Sequence, residues 1–230
     1  MPAEPLGTII VTGGASGLGA AVARAVRDAG GTPVVLDLND PGNGFAFEPV
    51  DLTDGRAAEA AVEKVAAEHP DLRGVVTAAG TDACGDFLDV DAEAWERVIK
   101  VNLIGTAAIV RAALPHLQAN QGRVVTVAST LGLRALPAAT AYCASKFGVV
   151  GFTRALAMEV GETVGVTMLV PGGMNTHFFD GREEQFKPGP GQRLNDPADV
   201  ADTVVFALSR PPFVEVRELI VTPAGEPSWP

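Results

Sequence analysis

The chain has 230 residues, 47% of them hydrophobic and 20% charged, with 17 Lys and Arg against 28 Asp and Glu for a formal net charge of −11. A chain of this size and composition buries a large core without disulfides or metals, which excludes a disordered or fibrous protein. The acidic balance, with no basic run, argues against nucleic-acid binding because that binding depends on Lys and Arg.

The cysteine content and the N-terminal sequence bear on the compartment. Cys84 and Cys143 are too few for a disulfide framework and lack the spacing of a metal site, so we predict reduced thiols and no metal. The first residues show no signal-peptide pattern, and no apolar run approaches the roughly 18 residues that span a bilayer. We therefore expect a cytoplasmic protein without membrane contact.

Short apolar runs alternate with helical patterns along the chain, which predicts parallel strands joined by crossover helices. The predicted strands are residues 8–11, 33–36, 45–50, 74–77, 123–128, 164–170 and 218–221. The predicted helices are residues 18–29, 56–68, 92–119, 142–160 and 197–208. This order predicts one α/β domain over residues 1–230, a doubly wound Rossmann fold with a seven-stranded parallel sheet and helices on both faces. Ligands of such sheets bind at the carboxyl ends of the strands.

A glycine-rich turn, TGGASGLG at residues 12–19, connects the first strand to the first helix. Gly13, Gly17 and Gly19 stand where side chains would block a pyrophosphate, and the N–H groups of the helix start can receive its charge. Strand, turn and helix in this order favour a dinucleotide site over an ordinary βα loop.

Asp37 ends the second predicted strand, about 20 residues beyond the glycine-rich turn. Its carboxylate can accept hydrogen bonds from the ribose hydroxyls, whereas it would repel a 2′-phosphate. Ser16, Leu38 and Asn39 offer no positive charge to such a phosphate, so NAD(H) is favoured over NADP(H). The alternative is that Asp37 is a solvated turn residue.

Four polar residues form a candidate catalytic set. Tyr142, the only tyrosine, lies four residues before Lys146 in YCASK, on the same face of a predicted helix. A neighbouring ammonium stabilises a phenolate and lowers its pKa towards the working range. Ser129 ends the fifth predicted strand and could hydrogen-bond a substrate oxygen, and Asn102 is polar within an apolar helical stretch.

The sequence resembles the short-chain dehydrogenase/reductase family over nearly its whole length. The matching motifs are TGGASGLG at 12–19, DL at 51–52, TAAG at 77–80, VNLIG at 101–105, AST at 128–130, YCASK at 142–146 and PGGMNT at 171–176. Where the family usually has NNAG this chain has TAAG, so the hydrogen bonds of the asparagines must be replaced, in part by Thr77. The C-terminal sequence lacks the glycine-rich ending of family tetramers, which weakens inference about oligomeric state.

The resemblance implies roles for individual residues. Tyr142 would be the general acid/base, Lys146 would lower its pKa and hold the nicotinamide ribose, Ser129 would orient the reacting oxygen, and Asn102 would anchor a proton-relaying water. Cofactor contacts would come from the glycine-rich turn, including Leu18, and from Asp37, Leu38, Asp51, Leu52, Ala79, Gly80, Pro171, Gly172, Gly173, Met174 and Thr176.

Apolar residues predict the substrate contacts: Leu131, Leu133, Leu136, Phe87, Phe178 and Phe179. They favour a neutral ketone or secondary alcohol, although each could be core instead. Residues 175–196 mix glycine and proline with aromatics, which is typical of a lid over a ligand, the alternative being a surface excursion. His177 is in this segment and fits an exposed loop better than a substrate contact.

Three functions remain open. The favoured one is an NAD-dependent alcohol dehydrogenase or ketoreductase that acts on a small molecule. The others are a non-catalytic NAD-binding redox sensor, which needs no such catalytic set, and an epimerase or dehydratase, whose relatives carry a further substrate domain. A homodimer or homotetramer is expected through the helices at 92–119 and 142–160, with Ile109, Ala113, Phe147 and Phe152 as candidate interface residues.

Overall fold

The computed structural model describes residues 6–211 and 213–229. Seven parallel strands form one sheet in the order β3-β2-β1-β4-β5-β6-β7. The strands are β1 Thr8–Thr12, β2 Thr32–Asp37, β3 Ala46–Pro49, β4 Leu72–Thr77, β5 Arg123–Val127, β6 Gly165–Pro171 and β7 Glu218–Val221. The order reverses at β1, where β2 and β4 lie on opposite sides, so a crevice is expected at the carboxyl ends of these strands.

Helices cover both faces of the sheet: α1 Gly17–Asp28, α2 Gly55–Glu68, α3 Ala92–Ile99, α4 Thr106–Ala119, α5 Thr140–Val160 and α6 Pro197–Leu208. Side chains alternate along β1, so Ile10 joins the cluster beneath α2, α4 and α5 while Ile9 and Val11 join the one beneath α1 and α6. The predicted doubly wound α/β fold is confirmed.

The predicted helix 92–119 is continuous but not uniform. Between α3 and α4, Lys100–Gly105 forms a π-helical turn that contains Asn102. The Thr106 hydroxyl donates to the Asn102 carbonyl oxygen at 2.9 Å within this irregular part. π-Helical turns are rare and often lie at functional sites.

Ala92–Ala119 is also long enough and apolar enough, with a mean hydropathy of 1.5, to cross a membrane. The sequence analysis did not expect such a stretch. In its most apolar window 56% of the residues are buried in the fold, as in the core helices of proteins that do not enter membranes, so the stretch is weak evidence for a membrane span.

Most of the residues named for a subunit interface are used by the core of this chain. Ile109 and Ala113 are fully buried beneath α4, and Phe152 packs against the same cluster. Ile109 and Ala113 were wrong as interface residues, because their side chains are fully buried in the core of this chain, whereas Phe152 is only partly buried. Phe147 remains 45% exposed.

Candidate active site

A cavity of about 650 Å³ runs along the carboxyl ends of the strands. Nearly all predicted site residues line it, Asn102, Leu133 and Phe87 being the exceptions. The predicted residues in its lining are Gly13, Ser16, Gly17, Leu18, Gly19, Asp37, Leu38, Asp51, Leu52, Ala79, Gly80, Ser129, Leu131, Tyr142, Lys146, Pro171, Gly172, Gly173, Met174, Thr176 and Phe178. One continuous space therefore connects the glycine-rich turn to Tyr142.

The glycine-rich turn leaves room only for backbone at two points. A Cβ atom on Gly13 would come within 2.7 Å of the Ala79 Cα, and one on Gly19 within 2.2 Å of the Gly13 carbonyl oxygen. Gly13 also has a positive φ of 70°, which side chains disfavour. The turn can thus lie close against the loop after β4 and expose backbone N–H groups to the cavity.

The start of α1 is open to a negatively charged group. Ser16 occupies the N-cap position without a capping hydrogen bond from its side chain among the described residues, and the first turn carries no acidic residue. Uncapped N–H groups and the helix dipole both favour an anion here. A phosphate can therefore be bound at this point by the main chain.

Asp37 connects the end of β2 to the glycine-rich turn. Its Oδ2 accepts a hydrogen bond from the Ala15 N–H at 3.0 Å, and its Oδ1 accepts one from the Asn39 N–H at 3.1 Å. The carboxylate is half-buried and lines the cavity. It is held in a defined orientation at the end of the cavity remote from Tyr142.

Asp51 lines the same end of the cavity as Asp37. Its Oδ1 accepts from the Thr53 N–H at 2.9 Å, and this backbone hydrogen bond is the main reason that the pKa of Asp51 is lowered. Arg97 lies 3.9 Å from its other oxygen and also lines the cavity. Arg97 was missed by the sequence analysis because nothing in the helical pattern of α3 distinguishes it.

Tyr142 and Ser129 meet at the other end of the cavity. Burial raises the pKa of Tyr142 to about 12, while its hydrogen bond with Ser129 acts in the opposite direction. Ser129 also accepts a hydrogen bond from the Leu131 N–H at 3.1 Å. These contacts hold both hydroxyl groups at the carboxyl end of β5, where a substrate oxygen could bind between them.

Lys146 is nine-tenths buried one helical turn after Tyr142. Its Nζ donates to the Val127 carbonyl oxygen at 2.7 Å, and burial lowers its pKa from the ordinary 10.5 to about 8. The expected lowering of the Tyr142 pKa by Lys146 is not found in this structure, because burial dominates both groups.

Asn102 lies behind the cavity and supports its wall. Its Nδ2 donates to the Thr81 carbonyl oxygen at 2.9 Å and to Ser145 Oγ at 3.0 Å, and its Oδ1 accepts from the Thr81 N–H at 2.8 Å. The side chain is buried, and these bonds use both of its N–H donors and one of the two acceptor sites of its oxygen. It connects the loop after β4 to α5, next to Gly80 in the cavity wall.

The hydroxyl of Thr77 does not replace the hydrogen bonds of the missing asparagines, which corrects the expectation for TAAG. Its Oγ1 is buried and has no hydrogen-bond partner within the described part of the chain. Thr12 performs this role instead, since its Oγ1 accepts from the Ala79 N–H at 3.1 Å. The polar support of the loop after β4 therefore comes from the neighbouring strand.

The predicted substrate contacts divide into two groups. Leu131, Leu136, Phe178 and Phe179 line the cavity, whereas Leu133 and Phe87 do not. Leu133 packs inward against a buried cluster around Val149 and Met168, because the short 3₁₀ turn Thr130–Gly132 directs it away from the cavity. Phe87 is 64% exposed on the surface.

The segment 175–196, which we call the lid segment, borders the cavity with its aromatic residues. The Phe178 ring lies 5.5 Å from the Tyr142 ring, measured between centroids. His177 also borders the cavity, but its side chain is 87% exposed and pairs with Asp180 at 2.7 Å. The structure therefore agrees with an exposed loop position for His177.

Two charged residues at this end were missed by the sequence analysis. Arg182 lines the cavity and donates to Asp82 Oδ2 at 2.6 Å. Glu226 lines it from the segment after β7, and its Oε2 accepts from the Gly173 N–H at 3.0 Å. Both contacts join residues more than 50 positions apart in the chain, so no local motif predicts them.

Glu226 is the acceptor at the end of a chain of hydrogen bonds. Ser228 donates its hydroxyl to Glu226 Oε1 at 2.7 Å, and its Oγ lies 2.7 Å from the Thr130 hydroxyl. Glu226 is only 9% exposed. The segment after β7 is thereby connected both to Gly173 and to the residue that follows Ser129.

No cluster of three or more His, Cys, Asp or Glu suited to a metal ion occurs in residues 6–211 and 213–229. The arrangement consists of main-chain donors at one end of the cavity and the partly buried Tyr142 with the buried Lys146 and Ser129 at the other. Such groups can bind a phosphate-containing ligand and move a proton on an oxygen beside it.

The sequence and the fold both have known relatives. Residues 7–186 match the short chain dehydrogenase family. L-Fucose dehydrogenase of Mus musculus is 31% identical over 239 residues, which cover 95% of this chain and 88% of that protein.

Two solved structures extend the comparison. Ligand-free aldohexose dehydrogenase of Thermoplasma acidophilum superposes with a TM-score of 0.87 at 25% identity, covering 96% of this chain and 94% of the other. The alcohol dehydrogenase of Thermococcus sibiricus, complexed with 5-hydroxy-NADP, gives a TM-score of 0.79 at 23% identity over 93% and 95%.

An open α/β sheet with a long cavity across its carboxyl edge defines a class of ligand-binding proteins, because such sheets bind ligands in the crevice at the carboxyl ends of their strands. The family match makes the class specific: the chain belongs to the short-chain dehydrogenase family and is an oxidoreductase.

Proposed function

We propose that this protein is an NAD(H)-dependent dehydrogenase or ketoreductase that interconverts a secondary alcohol and a ketone, with Tyr142 as general acid/base. The observation that carries the proposal is that Ser129, Tyr142 and Lys146 share one cavity with the glycine-rich turn and Asp37. Bound nicotinamide would supply or accept the hydride, and the residues of this chain would bind, orient and move the proton.

The proposed cofactor site fits a dinucleotide by its geometry. Gly13 lets the glycine-rich turn pack closely against Ala79 in the loop after β4, and the uncapped start of α1 supplies N–H donors. Asp51, Leu52, Ala79 and Gly80 would lie along the adenosine, and Pro171, Gly172, Gly173, Met174 and Thr176 around the nicotinamide.

Asp37 supports NAD(H) over NADP(H). Its carboxylate is oriented by Ala15 and Asn39, and a 2′-phosphate beside it would meet a like charge without a neighbouring cation from Ser16 or Leu38. One structural neighbour was solved with an NADP analogue, so the preference of this chain must be measured.

Proton transfer would use the hydroxyls at the far end of the cavity. With its pKa raised to about 12, Tyr142 carries its proton at neutral pH and can donate it to a carbonyl oxygen as that oxygen gains charge. Ser129 would hold the same oxygen by a second hydrogen bond, and Lys146 would bind the ribose with its ammonium. Placement and electrostatic stabilisation would supply most of the acceleration.

The charges near Tyr142 favour a neutral substrate. Arg182 pairs with Asp82 and Lys187 pairs with Glu184, so these two lining cations already have carboxylate partners, and Glu226 adds a negative charge. Leu131, Leu136 and the lid phenylalanines supply apolar surface. Because two relatives are named as sugar dehydrogenases, neutral sugars belong in the substrate screen.

The first experiment is a fluorescence titration with NADH and, separately, NADPH, followed by turnover assays with secondary alcohols, ketones and aldohexoses. Tighter binding of NADH together with net NADH formation or consumption supports the proposal. Preference for NADPH would refute the role of Asp37 and spare the catalytic set. Binding without any turnover would favour a redox sensor. Turnover without a net change of the cofactor would favour an epimerase or dehydratase.

We further propose that the enzyme acts in the cytoplasm as a homodimer or homotetramer. Its two cysteines are free, as expected in a reducing compartment. Ile104, Phe147 and Met158 leave apolar surface exposed on and beside α5, which a second subunit could cover. Sedimentation analysis of the purified protein tests the oligomeric state.

A further inference from the structure

Among the ion pairs given for residues 6–211 and 213–229, the one between Asp82 and Arg182 is the most deeply buried. Arg182 Nη2 lies 2.6 Å from Asp82 Oδ2, and the two side chains are only 17% and 7% exposed. Burying two charges costs free energy that their attraction only partly offsets. A pair in this position is therefore better suited to hold a geometry than to add stability.

Arg182 organises the lid segment around itself. Its guanidinium carbon lies 5.0 Å from the centre of the Phe178 ring and 4.7 Å from that of Phe179. Its Nη1 also donates to the Phe186 carbonyl oxygen at 3.4 Å. One side chain thus contacts three aromatic residues of the lid segment, and the same side chain is bound to the loop after β4 through Asp82.

The contact of Phe178 with Tyr142 carries this arrangement into the candidate active site. The two rings are 5.5 Å apart at an interplanar angle of 57°, a geometry in which aromatic pairs attract. Phe178, Phe179, Arg182 and Phe186 all line the cavity. A displacement of Arg182 would therefore move the wall that faces Tyr142.

We propose that the Asp82–Arg182 pair fastens the lid segment to the loop after β4, and that Arg182 is a positioning residue that holds Phe178 against Tyr142. This inference rests on the proposed function for its kinetic consequences. Whether the pair fastens the lid segment can be tested without any turnover assay.

The pair also balances charge beside Tyr142. Asp82 raises the pKa of Tyr142 and Arg182 lowers it. The other groups that act on this phenol are Ser129, through a hydrogen bond, and Cys143, with Lys146 one turn along α5. Neutralising one member of the pair leaves the charge of the other uncompensated. The two single substitutions should therefore shift the pKa of Tyr142 in opposite directions.

The experiment compares Asp82→Asn, Arg182→Met and the double variant in the oxidation of the best secondary alcohol. We expect KM to rise about tenfold or more in each single variant, with the double variant no worse than the poorer single one, since the two residues act as a unit. The pH midpoint of kcat should move down in Asp82→Asn and up in Arg182→Met, while the Kd of NADH stays unchanged.

Two further variants separate positioning from general damage. Arg182→Lys keeps the charge but loses the planar contact with the two rings, so it should restore the pH midpoint and leave KM raised. Glu183→Gln is the matched control, because Glu183 is exposed beside Arg182 in the same segment, accepts a hydrogen bond from Gln185 Nε2 at 2.9 Å and does not line the cavity. It should leave KM and the pH midpoint unchanged.

Additive effects in the double variant, or pH midpoints that move in the same direction, would overturn the proposal. If the wild-type protein turns over no alcohol, the proposed function fails by itself, and hydrogen exchange of residues 175–186 decides the present inference. Faster exchange in Asp82→Asn than in Glu183→Gln supports the fastening. Equal exchange in the two variants refutes it.

Discussion

The Nζ atom of Lys146 lies 5.6 Å from the centre of the Tyr142 ring and donates to the Val127 carbonyl oxygen at 2.7 Å. Lys146 is buried and Tyr142 is partly buried, and the loss of water acts on their pKa values in opposite directions. It raises the pKa of Tyr142 to about 12 and lowers that of Lys146 to about 8. The pair therefore favours a neutral phenol, which suits proton donation to a carbonyl oxygen.

Tyr142→Phe removes one hydroxyl and keeps the ring that packs on Phe178. We expect turnover to fall by about 100- to 10 000-fold, the usual contribution of general acid–base catalysis. The affinity for NADH, measured by fluorescence titration, should stay nearly unchanged because the glycine-rich turn is remote. Near-normal activity in this variant would refute the assignment of Tyr142.

Lys146→Met should abolish turnover and raise the melting temperature at pH 7. The folded-state pKa of Lys146 is about 8, against an ordinary value of 10.5. The unfolded chain therefore binds the Lys146 proton more tightly than the folded chain does. Burial of the Lys146 ammonium thus lowers the free energy of unfolding, and this cost is fully present below pH 8. It fades as the pH rises from 8 to 10.5.

The measurement is the difference in melting temperature between wild type and Lys146→Met at pH 7 and at pH 10. We expect this difference to shrink towards the higher pH. Lys100→Met, at an exposed helix position, is the control and should show a small difference at both pH values. An increase of the Lys146→Met difference with pH would contradict the argument.

Asp37→Asn tests the choice of cofactor. Loss of the negative charge should reduce the preference for NADH over NADPH by about tenfold, mainly through tighter binding of NADPH, because a like charge no longer opposes the 2′-phosphate. Asp40→Asn provides the comparison, since Asp40 is an exposed carboxylate three residues away. An equal change in both variants would show that long-range charge, rather than contact, decides the preference.

Thr77 and Thr126 form a matched pair for a stability experiment, since they are register partners on β4 and β5. Thr77 Oγ1 is buried without a partner among the described residues, whereas Thr126 Oγ1 lies 2.7 Å from Thr153 Oγ1. Thr77→Val should leave the free energy of unfolding unchanged or raise it by up to about 1 kcal/mol. Thr126→Val should lower it by about 1 kcal/mol.

Urea unfolding of both valine variants measures this difference. The opposite order, with Thr77→Val the less stable protein, would mean that the Thr77 hydroxyl has a partner after all.

Glu226→Gln should weaken NADH binding several-fold and lower the melting temperature. The carboxylate accepts from Gly173 with one oxygen and from Ser228 with the other, and an amide has only one acceptor oxygen for both. Ser228→Ala removes a donor from this network and leaves the Gly173 contact intact, so its effect on the Kd of NADH should be smaller. Equal effects would assign the role to the hydroxyl network.

The regular part of the fold was predictable because its signals are local. β1 alternates Ile9 and Val11 towards one face and Ile10 towards the other, and a run of such residues followed by a glycine-rich turn allows few other structures. The π-helical turn at Lys100–Gly105 was not predictable, since the apolar periodicity continues through it. Asn102 within this turn hydrogen-bonds to Thr81 and Ser145, which are 21 and 43 residues away and which local patterns cannot identify.

The candidate site was predictable only where it consists of motifs. Tyr142 and Lys146 are one helical turn apart, so their proximity follows from the spacing. Arg182 and Asp82 are 100 residues apart, and neither lies in a motif. Their contact forms when the lid segment packs on the loop after β4. This is a tertiary contact, and local sequence patterns do not predict it.

The bonds of Asn102 to the loop after β4 have a practical consequence for protein engineering. Asn102 holds residue 81 through the Thr81 N–H and carbonyl oxygen only, so the support does not depend on which side chain stands at that position. Residues 83–91, up to the start of α3, can therefore be exchanged for a loop from another enzyme while the graft keeps its anchor at residue 81 and the Asp82–Arg182 pair. Such an exchange would leave the sheet and the cavity lining unchanged.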